Sequence, residues 1–166
     1  DARIHTTRVG KAVDNFLVQD PLGRPFSEPA QIERLERSIE DSLANRIELV
    51  PQLAKRPLAR SRADSFEVRP RVGFDNTASN RFTVIEVSAR DRPALLNRLA
   101  RALFECRLMV NSAHITHYGE RATDTFYVTD LTGGKVTSKD RLARIEEALL
   151  KAAGDETVAQ AVKEPA

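Results

Sequence analysis

The residues best placed to do chemistry form a turn, Ala89-Arg90-Asp91-Arg92-Pro93, where a strand pattern gives way to a helix pattern. Backbone amides in the first turn of a helix have no partner inside it, and together with the helix dipole they suit the carboxylate of a small ligand. Asp91 has two readings there: it caps those amides itself, or it receives a ligand's ammonium group. His114 and His117 make an HxxH, which on a helix would bring two imidazoles together for a metal. In a strand, positions three apart point to opposite faces, so no metal site is expected. His5 has no spaced partner. Cys106 closes an apolar helix face without a matched His and Asn and reads as a packed thiol. Asp14 and Asp124 stand beside Phe16 and Phe126; a hairpin-end carboxylate bonding backbone or a nearby Arg accounts for both. No acid pair or nucleophile marks a glycosidase or protease, and no catalytic residue is assigned. An acylphosphatase would need an anion-cradling loop with an Arg and a separate strand Asn, which Arg90 or Arg92 with Asn111 mimic only weakly.

Several elements must position that turn. Phe82 to Val87 reads as a strand, and apolar residues at both parities, Val84 against Ile85 and Val87, predict a central one. Pro93 suits the first turn of a helix, where its missing N–H costs nothing. Leu95, Leu96, Leu99, Ala102, Leu103 and Cys106 then recur at helical spacing. In the next strand Met109, Ala113 and Ile115 are expected on one face and Val110, Ser112, His114 and Thr116 on the other. Gly119-Glu120-Arg121 is the hairpin turn, and Phe126 and Val128 return on the core face. Thr137 or Ser138 opens a last helix with Leu142, Ile145, Leu149 and Ala152 inward. Beyond Gly154 the tail to Ala166 is polar, with Thr157-Val158-Ala159 a candidate edge strand.

The run VIEVSARDRPALLNRLARALFECRLMVNSAHITHYGERATDTFYVTD resembles an ACT domain, a small regulatory module that binds amino acids. DRPALL, SAHI, YGERATDTFYV, DARIHTT and DNFLVQDPLGRPF extend the resemblance over nearly the whole chain. The likeness is to the C-terminal ACT region of the bacterial protein-PII uridylyltransferases, bifunctional enzymes that also remove uridylyl groups. It implies an α+β, ferredoxin-like βαββαβ fold, an antiparallel sheet with helices on one face. It further implies a non-catalytic region sensing glutamine inside a nucleotidyltransferase and hydrolase that modifies PII. No cofactor is implied for this stretch, and Mg2+ for the enzyme that carries it. The family's ligand lies between the first turn of one domain and the start of the second strand of an adjoining one. The matching positions are Ala89, Arg90, Asp91, Arg92, Pro93, Ala94 and Leu95, with Asn111 across the junction. An Asn amide can donate to a carboxylate and accept from an ammonium, which suits an α-amino acid; bridging backbone is its plainer role. Two positions depart from the family. Ala94 stands where a Gly is usual, narrowing the space beside a ligand, and Cys106-Arg107 replace the Gly after the helix. A ligand-free docking or oligomerisation module is the alternative reading.

Composition sets outer bounds. A length of 166 residues allows one large or two small domains, and a hydrophobic share of 41% with 5% aromatic and no Trp predicts a core of Leu, Ile, Val and Ala. A net charge of +2 does not by itself point to nucleic acid, and Phe82, Phe126 and Tyr127 do not form the paired sheet aromatics that stack bases. One cysteine rules out an intramolecular disulfide and fits a reducing cytoplasm. No apolar run nears the roughly 20 residues of a membrane helix and no signal peptide opens the chain, which reads as part of something longer.

The chain also repeats itself. Lys11 to Gly23 matches Arg121 to Gly133 at an offset of 110, as do Ile32, Leu35 and Ile39 against Leu142, Ile145 and Leu149, while Ala2 and Ile4 match Ala113 and Ile115 at 111. Residues 2–18 therefore read as a hairpin and Pro29 to Leu43 as a helix closed by Asn45, with Ser27 or Glu28 at its start. The expected division is a partial ACT module over 1–76, lacking its first strand and helix and including a basic connection at 51–65, then an ACT module over 77–166. Phe66 to Phe74 is expected to close the first module, with Ile47 to Val50 a rival, and Asp75 to Asn80 is turn chemistry at the boundary. The gap left by the missing strand should be filled by a neighbouring chain, giving a homodimer or swapped pairing, or by the second module.

Overall fold

A computed structural model describes residues 2–7, 9–20, 23–25, 27–47 and 68–154. Its elements are β1 (Ala2–Thr6), β2 (Ala12–Phe16), α1 (Pro29–Leu43), β3 (Arg71–Asp75), β4 (Thr83–Arg90), α2 (Leu95–Glu105), β5 (Leu108–Tyr118), β6 (Arg121–Asp130) and α3 (Lys139–Ala153). The strands form one six-stranded sheet in the order β2-β1-β5-β6-β4-β3, with every pairing antiparallel. The candidate strand at Ile47 to Val50 beyond Ile47 itself, that at Thr157 to Ala159, the residues Phe66 and Glu67, and the basic connection 51–65 lie outside the described residues.

Apart from Ala2 of β1, the buried core belongs to the second half. Ile85, Val87 and Ala89 of β4, Phe126 and Val128 of β6 and Ala113 and Ile115 of β5 alternate inward. They meet Leu95, Leu99 and Leu103 of α2 and Ile145 and Leu149 of α3, all buried at helical spacing. Both helices thus cover one face, giving an α+β antiparallel sheet of the ferredoxin-like kind. Ser138 precedes α3 as its N-cap residue, and Asn45 (φ 54) ends α1 in the left-handed region.

Two expectations about strands are corrected. The strand near Val72 and Phe74 exists, but it pairs with β4, Val72 opposite Val87 and Phe74 opposite Ile85, rather than closing the first repeat's sheet. The short connection makes this pairing local, and it is fixed by polar bonds: Thr83 Oγ1 donates to Asn76 Oδ1 (2.7 Å) and accepts from Val136 N–H (2.9 Å). In β5 the register shifts between Val110 and Ser112, so Asn111 is an extra, bulged residue. Alternation changes parity there: Leu108 is buried and Val110 packs on the core before the bulge, Ala113 and Ile115 after it. Met109, expected inward, is exposed.

The first repeat is exposed where the second is packed. Its hairpin joins the sheet through β1, which pairs with β5, while the outer edge of β2 has no partner among the described residues. The second half therefore does not fill the place beside β2. No residue of α1 is buried and every residue of β2 is exposed. Phe16, Val18, Leu35 and Ile39 are 55%, 49%, 38% and 48% exposed, whereas their counterparts Phe126, Val128, Ile145 and Leu149 are at 2%, 0%, 1% and 0%. The second set packs in one cluster with Ile85 and Val87 of β4 and Leu99 and Leu103 of α2.

Candidate functional site

The expected turn sits between the end of β4 and the start of α2, held from several sides. Asp91 N–H donates to Glu120 O (2.7 Å) and Arg90 Nη2 lies 3.5 Å from Glu120 Oε2, tying the turn to the β5–β6 hairpin. Ala94 adopts φ 66 as the N-cap residue of α2, with no side-chain cap on the helix. This explains why a Gly is usual there: left-handed backbone crowds a Cβ. Asp91 does not cap the helix; its Oδ1 faces His117 Nε2 at 3.5 Å. At the other end of α2, Arg107 takes φ 55 and supplies the left-handed residue that a Gly would.

The remaining expected residues divide by environment. Ala89 and Leu95 are core, so only their backbone can face a ligand. Arg92 is half-buried, and its Nη2 donates to Ala152 O (3.2 Å) and Gly154 O, placing a cation at the C-terminus of α3. Pro93 and Ala94 are half-buried beside the turn. Asn111 lies at the far end of β5, six residues and about 20 Å from His117 along the strand. Its Nδ2 donates to Met109 O (3.2 Å) and Thr129 Oγ1 (3.3 Å), and it lines a cleft of about 430 Å³ with Arg81, Phe82, Met109 and Lys135. Asp91 and Asn111 of one unit therefore do not meet.

The repeat shows how such positions could meet between units. In the β1–β5 pairing Ala2 stands opposite Ile115 and Ile4 opposite Ala113. Because Ala2 matches Ala113 and Ile4 matches Ile115, the contact is the same surface used twice, related by a local two-fold axis through the Arg3–His114 pair. The start of β1 consequently lies toward the end of β5 that carries His117, the residue facing Asp91.

One residue of this region was underrated in the sequence. Asp124 on β6 stands opposite Ile115 and Val87, is 2% exposed, and its Oδ1 has no hydrogen-bond partner among the described residues. Burial pushes its carboxyl up to about 6, with His117 opposing and Asp91 adding to the rise. The signal was its recurrence with Asp14 in both repeats, which a hairpin-end role explained without further need. Elsewhere, bonds from Thr77 and from Thr132 hold the carboxyls of Asp75 and Asp130 low, as tight turns do. Burial raises the Cys106 thiol, consistent with a packed side chain. Among the described residues no group of His, Cys, Asp and Glu is arranged to hold a metal, and no helix is long and apolar enough to cross a membrane.

Residues 78–155 match the family model of the ACR family N-terminal ACT domain. A bifunctional uridylyltransferase/uridylyl-removing enzyme of Novosphingobium aromaticivorans is 71% identical over 161 residues, 97% of this chain and 18% of the relative. That of Erythrobacter litoralis is 66% identical over 166 residues, 100% of this chain and 18% of the relative. The chain is an ACT-domain region of this family. A third relative, from Zymomonas mobilis subsp. mobilis, is 51% identical over 92% of the ACT region and 17% of its own length. The ACT region thus spans under a fifth of these relatives, and no solved structure matches it.

Proposed function

We propose that this ACT region senses a free α-amino acid, with glutamine as effector, bound where the N-terminus of α2 meets the start of β1. The observation that supports the reading is the two-fold pairing of β1 with β5, which brings the start of β1 to the end of β5 whose His117 faces Asp91 in the uncapped α2 turn. The α2 amides would take the ligand's carboxylate. By the same symmetry Asn111 would serve the turn of an adjoining unit at the opposite end of the pairing.

In an enzyme that both attaches and removes uridylyl groups on PII in the cytoplasm, a ligand with unequal affinity for two packings of the ACT units supplies the coupling energy. Glutamine would favour removal. Titration of the chain with glutamine followed by NMR tests the sensor: shifts are expected at Asp91 to Leu96, and none at millimolar ligand overturns it.

A second reading, docking without a small ligand, is favoured by the exposed faces of β2 and α1. The occupant that fits them is a strand followed by a helix, related to β2 and α1 as β4 and α2 are to β6 and α3. Ala94→Gly discriminates the two: it widens the turn, so glutamine binding should strengthen if the turn is a ligand site and stay absent if the region only docks.

A further inference from the structure

Asp91, the carboxylate at the turn itself, already faces His117 and is half in water. Asp124 lies deeper, on the sheet face that α2 covers, with Val87 on one side and Ile115 on the other. It is close enough for both His117 and Asp91 to act on it electrostatically. Its Oδ1 is enclosed and has no donor. A buried carboxylate oxygen without a donor is costly, and this one lies within electrostatic reach of Asp91 in the turn that opens α2. Its repeat counterpart Asp14, on the unit without a β4–α2 turn, is exposed.

Resting on the sensor reading above, we propose that Asp124 receives the α-ammonium group of the bound amino acid from beneath the β4–α2 turn while the α2 amides hold its carboxylate. One end of the zwitterion then meets backbone dipoles and the other a full negative charge in a dry site, where a charge-assisted bond discriminates strongly. Ligands without the ammonium should lose most of their affinity.

Calorimetry on the whole chain with L-glutamine and with 4-carbamoylbutanoate, the same molecule lacking its amino group, tests this. Wild type should prefer glutamine, and Asp124→Asn should lose roughly tenfold or more for glutamine while binding the analogue unchanged. Asp14→Asn should behave as wild type. Glutamine binding near pH 6 should also release protons, read from the dependence of heat on buffer ionisation, and this release should vanish in Asp124→Asn. Undiminished preference for glutamine in Asp124→Asn, or equal wild-type affinity for both compounds, overturns the role of Asp124 and leaves the sensor standing. Wild-type binding of neither compound overturns the sensor and this role together.

Discussion

Ala94 and Arg107 bracket α2 with left-handed backbone that neither side chain favours, at φ 66 and φ 55. Relative to Gly such a conformation costs about 1 kcal/mol. Ala94→Gly and Arg107→Gly are each expected to raise unfolding stability by about that amount, partly offset by the freer unfolded chain, in urea titrations; an unchanged midpoint would count against the strain. Asp124 makes the opposite kind of demand. Its carboxyl titrates near 6 when folded against 3.8 as the unperturbed value, so the folded state holds the proton more tightly. Its contribution to stability is therefore fully present below pH 3.8 and lost as pH rises through 6. At neutral pH the buried carboxylate is thus a net cost to the fold. Asp124→Asn should flatten the loss of stability between pH 4 and 7, measured by thermal unfolding at a series of pH values.

Among the elements, α3 depends on a residue outside itself. Arg92 donates to the carbonyls of Ala152 and Gly154 at its last turn, so Arg92→Ala should speed amide exchange at the C-terminal end of α3 and cost about 1–2 kcal/mol. Exchange confined to the β4–α2 turn would contradict this. That role was not legible in the sequence, because Arg92 and Gly154 are brought together only by tertiary packing. What was legible had a local cause: α2 and α3 follow apolar spacing, and the hairpin turns follow Gly10 and Gly119, both at positive φ. The bulge at Asn111 was hidden, since one extra residue leaves no mark on composition yet reverses which side chains face in. The partner of β3 was hidden for a related reason, as a strand pattern specifies faces but not neighbours. The turn itself was legible, since β4 ends and α2 begins around it as the spacing predicts, whereas the burial of Asp124 was not, because a hairpin-end acid has a plain explanation.

At the largest scale, the exposed apolar faces of the first repeat make solution behaviour predictable. Phe16, Val18, Leu35 and Ile39 present apolar surface beside an open strand edge, a combination that drives association. The chain should self-associate in sedimentation experiments, and Leu35→Glu with Ile39→Glu should shift it toward monomer without changing the stability of residues 83–153. A stable wild-type monomer whose residues 1–50 exchange amide hydrogens freely would contradict the expectation. The pairing of Ala2–His5 with Ser112–Ile115 has a mechanical consequence as well. The units are joined by a backbone seam rather than a tether alone, so neither can swing as a door does without tearing peptide hydrogen bonds. Any shift in the twist of one half is therefore carried into the other along one continuous ribbon.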